Sequence, residues 1–295
     1  MLLLVGGCSA WLARDPVPGF LARRQTAVRV ERVVEPPQGE HVNEHVRLLG
    51  DNGLRVDLQL RRPLSRSNDG AVRRPVFLIL GGYATGDRAA QLIPDTRGNI
   101  VGALSYPYAG DVRVKGLAVL PVVPALRRAI LDTPPALMLA IDYVLSRPDV
   151  DPAHVELVGA SFGTPFATVV GALDQRVTRV WAVHGAAWPY RQIEHNLRAR
   201  MRAPMRQVVA ALATSFASGW QLDPAHWAPR IAPRPFVMIN ARQDERMPAD
   251  AVAALYAAAR APKDQLWIDG PHVQGNRREV IAALVDAVLQ RAAKH

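Results

Sequence analysis

The stretch VELVGASFGTPFATVVGAL, residues 155–173, holds the most structural information in the chain. Val155 to Val158 is a short apolar run suited to a strand buried on both faces, and the apolar spacing from Pro165 to Leu173 suits a helix. Between them Gly159-Ala160-Ser161-Phe162-Gly163 spells G-x-S-x-G. A serine on so sharp a strand-to-helix turn is lifted above the sheet edge, and small residues two before and two after it avoid clashes with the flanking elements.

The same alternation extends outward. Val76-Phe77-Leu78-Ile79-Leu80 is a continuous apolar run ending in Gly81-Gly82, and further strands are predicted at 99–104, 177–183, 235–239 and 265–268. Helices are predicted at 135–145, 249–259 and 278–293. Strands alternating with helices imply a mostly parallel central sheet with helices on both faces. Upstream, Val28 to Val34, His45 to Leu49 and Leu54 to Leu60 alternate in polarity, with Asp51-Asn52-Gly53 as a turn, and predict an antiparallel beginning to the sheet. Residues 187–231 interrupt the alternation with helical pieces at 191–202 and 205–217 and with Trp188, Trp220 and Trp227. They are expected to form a helical lid or cap over the pocket, with the tryptophans supplying apolar walls.

A serine hydroxyl needs a base within hydrogen-bond reach, and the base needs a carboxylate to orient it. His272 follows a predicted strand in the loop Asp269-Gly270-Pro271-His272, at the carboxyl end of the sheet. Four carboxylates compete as its partner: Asp244, Glu245, Asp250 and Asp269. Asp269 belongs to the strand end and should point away from the imidazole, and Asp250 reads as a first-turn helix residue. Asp244 lies directly beyond its strand, where it can reach the His272 loop. The N–H groups of Phe162 and of Tyr83, with Gly82 in reserve, are the candidate donors to an oxyanion. His184 and Trp188 are expected in the substrate pocket.

Together Leu80 to Tyr83, Gly159 to Gly163, Asn240 to Pro248 and Gly270 to His272 resemble the α/β-hydrolase superfamily over about residues 45 to 293, in the manner of the dienelactone-hydrolase and prolyl-oligopeptidase-like branches. The resemblance implies the α/β-hydrolase fold and a serine hydrolase acting on carboxylic esters through Ser161, His272 and Asp244, without a cofactor. Gly81 stands where many relatives have histidine. A peptidase, thioesterase or acyltransferase on the same fold, or a non-catalytic binding protein, remains open from sequence, because fold does not dictate function.

The 295 residues suit one large domain, and the formal charge is +10. The excess is almost all arginine, spread over pairs such as Arg61-Arg62 and Arg127-Arg128, with only Lys115, Lys263 and Lys294 as lysines. No nucleic-acid motif accompanies it, so a small-molecule ester is the expected partner. His41-Val42-Asn43-Glu44-His45 matches an inverted zinc-peptidase pattern, but it runs into a strand where that pattern needs a helix, so no metal is expected. Cys8, the only cysteine, follows a short apolar stretch and Gly6-Gly7. This resembles the end of a bacterial lipoprotein signal, with the charged start lying upstream. The expectation is a signal-like segment and tether over 1–27, lipidation at Cys8 and a membrane-associated protein facing the periplasm, with a cytoplasmic protein as the alternative. The hydrolase domain then covers 28–295.

Overall fold

The computed structural model describes residues 16–64, 72–110 and 116–292. Cys8 and the signal-like segment lie outside these residues. Among the described residues nine strands form one sheet: β1 (Ala27–Val34), β2 (His41–Gly50), β3 (Arg55–Pro63), β4 (Arg74–Leu80), β5 (Ile100–Leu104), β6 (Val150–Ala160), β7 (Arg179–Val183), β8 (Phe236–Ala241) and β9 (Lys263–Ile268). Their order across the sheet is β1-β2-β3-β5-β4-β6-β7-β8-β9. The first three run antiparallel to their neighbours, and β4 through β9 are parallel. The alternating and the continuous apolar runs thus divide as their patterns require, half-buried strands at one end and doubly covered ones in the middle.

Strand alternation sends Val76, Leu78 and Leu80 of β4 to one face and Phe77 and Ile79 to the other. The first face holds the larger core, under α2 (Val123–Leu145), α3 (Thr164–Leu173) and α7 (Ala249–Ala258). Phe20 of the short helix α1 (Val17–Leu21) joins this core, edge-on to Trp227. Within the segment expected to be a tether, Phe20 is thus anchored in the core, while the other residues from 16 to 27 are half-buried or exposed. The second face is covered by α8 (Arg278–Ala292) and by a 3-10 segment, Gly86–Leu92.

Helix α2 begins at Val123, well before the predicted start at Pro135. Proline has no N–H to donate, which is why it signals a start, yet its fixed φ is helical. Pro134 and Pro135 sit inside the helix, where they have no N–H for the Ile130 and Leu131 carbonyls, and just before them the Thr133 hydroxyl donates to the Ala129 carbonyl at 2.8 Å. The insertion between β7 and β8 carries α4 (Pro189–Leu197), α5 (Met205–Phe216) and a single turn, α6 (Pro224–Trp227). Among the described residues no helix is long and apolar enough to cross a membrane.

Candidate active site

Ser161 follows β6 without a spacer, in a 3-10 turn over Ser161–Gly163 that runs into α3. Its φ is +54°, a left-handed conformation that costs a side chain of this kind on the order of 1 kcal/mol. The two glycines of the motif make room for the turn. A Cβ on Gly163 would stand 1.7 Å from the Leu80 carbonyl oxygen, and one on Gly159 2.7 Å from the Thr164 Cα. The Thr164 hydroxyl donates to the Gly159 carbonyl at 3.0 Å, closing the turn.

The ends of β6, β8 and β9 bring three predicted residues together. His272 Nε2 lies 2.7 Å from Ser161 Oγ, and His272 Nδ1 lies 2.8 Å from Asp244 Oδ2. The imidazole is 1% exposed. Asp244 Oδ1 accepts the N–H groups of Arg246 (2.8 Å) and Met247 (3.0 Å), which fixes the carboxylate in its loop. Burial alone would raise its pKa, but the imidazoles of His184 and His272 and the Arg246 N–H hold it well below the usual carboxylate range. His272 is the chief of these. His184 Nδ1 is 3.3 Å from Asp244 but accepts the Val273 N–H at 3.0 Å, so in the neutral tautomer that bond requires it has no proton there to give.

The competing carboxylates have other occupations. Glu245 Oε2 accepts the His272 backbone N–H at 2.9 Å, and its other oxygen pairs with Arg277, which also donates to the His272 carbonyl at 2.6 Å. This brace on the His272 loop has no local sequence signal. Asp250 pairs with Arg191, and Asp269 is 85% exposed beside Arg242.

On the other side of Ser161, Phe162, Gly82 and Tyr83 line the same cavity as the serine. The residue that positions them was missed in the sequence. Tyr106, beyond β5, is buried and donates its hydroxyl to the Gly81 carbonyl at 2.6 Å; its ring stacks on Tyr83 and packs against Phe162 and Phe166. Burial pushes the phenol well above its ordinary pKa, so it stays a donor.

The cavity has a volume of about 720 Å³. His184 and Trp188, expected as pocket walls, are not among its lining residues. His184 is fully buried and edge-on to His272, 5.3 Å between ring centres, because it follows β7 directly and turns in behind the base. Trp188 is half exposed at the start of α4, its N–H bonded to Asp223. No residue of 187–231 lines this cavity either. Instead His195, Asn196 and Arg198 reach the carbonyls of Glu245 and Arg246, so the insertion supports the Asp244 loop from the side.

His184, Asp244 and His272 offer ligand atoms within 4.8 Å of one another. Both nitrogens of His272 are engaged by Ser161 and Asp244, which is the geometry of a proton relay. In the H-x-x-E-H segment, strand alternation puts Glu44 on the opposite face from His41 and His45. Glu44 binds Arg32, Arg62 and Arg147 there, and His45 pairs with Glu35.

No family model matches the chain. The protein YfhR of Salmonella typhi, described as uncharacterized, is 30% identical over 149 residues; the match covers 45% of this chain and 45% of YfhR, so the chain spans under half of that relative. Among solved structures, acetyl xylan esterase 1 from Thermoanaerobacterium sp. JW/SL YS485 superposes with a TM-score of 0.61 at 17% identity, covering 92% of each chain. An α/β hydrolase from Penicillium sp. sh18 gives 0.55 at 15% identity over 90% of this chain and all of the other. The chain has the α/β-hydrolase fold.

Proposed function

We propose that the protein is a serine hydrolase cleaving carboxylic esters through an acyl-enzyme. The observation that carries this reading is the unbroken line Ser161 Oγ, His272 Nε2, His272 Nδ1, Asp244 Oδ2, with contacts of 2.7 and 2.8 Å. In the first half-reaction Oγ bonds to the ester carbonyl carbon while its proton passes to Nε2, and Asp244 stabilises the imidazolium. The tetrahedral oxyanion is held by the Phe162 N–H and an N–H of Gly82 or Tyr83. Collapse breaks the carbon–oxygen bond to the alcohol, which takes the proton from His272. Water repeats the sequence, giving its proton to Nε2, and releases the acid and free Ser161.

Acetyl xylan esterase activity, named for one of the structures sharing the fold, supports ester over amide cleavage. A fluorophosphonate probe and p-nitrophenyl acetate together test the reading. Labelling confined to Ser161, lost in Ser161→Ala, with parallel loss of turnover, is the expected result. Folded wild-type protein that neither labels nor turns over would be a binding protein on this fold; label with turnover of peptides or thioesters alone would move the leaving group.

A further inference from the structure

The cavity that opens at Ser161 does not stop at the catalytic residues. Its mouth is polar: Ser161, His272, Arg246, Gln274 and Asn276 surround it. Below them it runs between the second face of the sheet, where Phe77, Ile79 and Val158 form the floor, and α8, where Leu284, Val285 and Val288 form the roof. Apart from Tyr83 and Thr85, the remaining lining residues carry apolar side chains or are glycines. Such a space arises from the uneven covering of the sheet. Helices α2, α3 and α7, joined by Phe20 of α1 and Trp227 of α6, pack on the first face, whereas the connection from β4 to β5 supplies the second with the 3-10 segment Gly86–Leu92 beside α8.

Its dimensions define an occupant. Phe77 pairs in register with Glu156, five residues below Ser161, so the floor extends about 16 Å from the nucleophile. Along α8 the roof runs from Ile281 to Leu289, about 12 Å. The volume of about 720 Å³ lies within the ordinary range for a small-molecule site. An acetyl group would use only the top of this space. A straight aliphatic chain of on the order of ten carbons matches its length, and burial of its apolar surface favours it. We propose that this space is the acyl-chain site, and that the substrates are esters of medium-chain aliphatic acids. The proposal rests on the ester-hydrolase reading. The acyl carbonyl sits at Ser161 between Phe162 and the Gly82-Tyr83 loop, the chain descends between sheet and α8, and the alcohol leaves toward solvent past Arg246.

Two measurements test it, one of them independent of turnover. Ser161→Ala protein is titrated with an 11-(dansylamino)undecanoic acid probe: saturable binding displaced by decanoate is expected, and absence of saturable binding overturns the acyl-chain site whatever the enzyme cleaves. In wild type, kcat/KM for p-nitrophenyl decanoate should exceed that for the acetate at least tenfold; a preference for acetate overturns the chain site and leaves the ester-hydrolase reading standing. Val285→Trp, which fills the channel, should lower the decanoate-to-acetate ratio at least tenfold. Gly275→Leu is the surface alternative should that variant misfold: a Cβ there stands 3.7 Å from Thr85 and 3.9 Å from Leu92, so a larger side chain closes the mouth between the two loops. An unchanged ratio in folded Gly275→Leu overturns the route.

Discussion

The three residues at the centre of the site differ in how replaceable each is. Asp244→Asn should keep the fold and lower kcat by on the order of 10³ to 10⁴, since the amide cannot hold the imidazole in the needed tautomer. Asp250→Asn and Asp269→Asn should change it little, because these carboxylates pair with Arg191 and Arg242 away from the imidazole. Rates for the three variants on one activated ester decide the matter, and a larger loss at Asp250 or Asp269 would reassign the acid. Tyr106→Phe tests the hold on the Gly81–Tyr83 loop, which carries the proposed oxyanion donor. It removes only the bond to the Gly81 carbonyl, so kcat should fall by about tenfold to a hundredfold with KM little changed, and equal kcat would show the loop holds itself. Ser161, Asp244 and His272 were legible because each lies at or just beyond the end of a readable strand, which places it at one edge of the sheet. Tyr106 was not, since what gives it a role is a carbonyl 25 residues away in sequence and on another strand. Nor was the Glu245–Arg277 brace, whose members look like ordinary surface charges until the His272 loop folds between them.

At the level of whole elements, the strand-to-helix turn leaves no room for a side chain at Gly163. Gly163→Ala would push a methyl against the Leu80 carbonyl at 1.7 Å, and backbone on both sides must give way. Chemical denaturation should show a loss of about 3 kcal/mol, with activity falling further because Ser161 moves; a stability equal to wild type would mean that β4 and the turn can separate freely. Strands were readable almost throughout, since alternation and continuous apolar runs report the number of covered faces. Helix α2 was half readable, because a Pro-Pro pair looks like a start and only the buried neighbours show it continuing a helix. The insertion was readable as an interruption, but its docking side was not. Its tryptophans suggested walls for a pocket, while the contacts that place it are Asn196, His195 and Arg198 against main-chain carbonyls of the Asp244 loop, which no hydropathy pattern records.

Over the whole molecule, one buried carboxylate ties distant parts together. Glu44 is fully buried on β2 and binds Arg32 of β1, Arg62 of β3 and Arg147 from the end of α2. Burial works against its charge, but the three arginines lower its pKa from the ordinary 4.5 to about 2. A depressed acid stabilises the fold fully above its unfolded pKa and loses that contribution as pH falls toward the folded value. Glu44→Gln should therefore cost about 3 kcal/mol near neutrality, and the gap to wild type should close between about pH 5 and pH 2; a constant gap in thermal or denaturant melts across that window would exclude the ionised carboxylate as its source. The strand ladders also imply an order in time. Hairpins β1-β2-β3 join partners such as Val34 and Glu44 that are near in sequence, whereas the His272–Ser161 contact joins residues 111 apart and requires β6, β8 and β9 to have docked in parallel. Closing such long loops is slow. On dilution from denaturant, circular dichroism should recover a β signal ahead of ester turnover, and the lag should end only when β9 pairs, so that the molecule spends part of its refolding as a well-formed sheet with no chemistry.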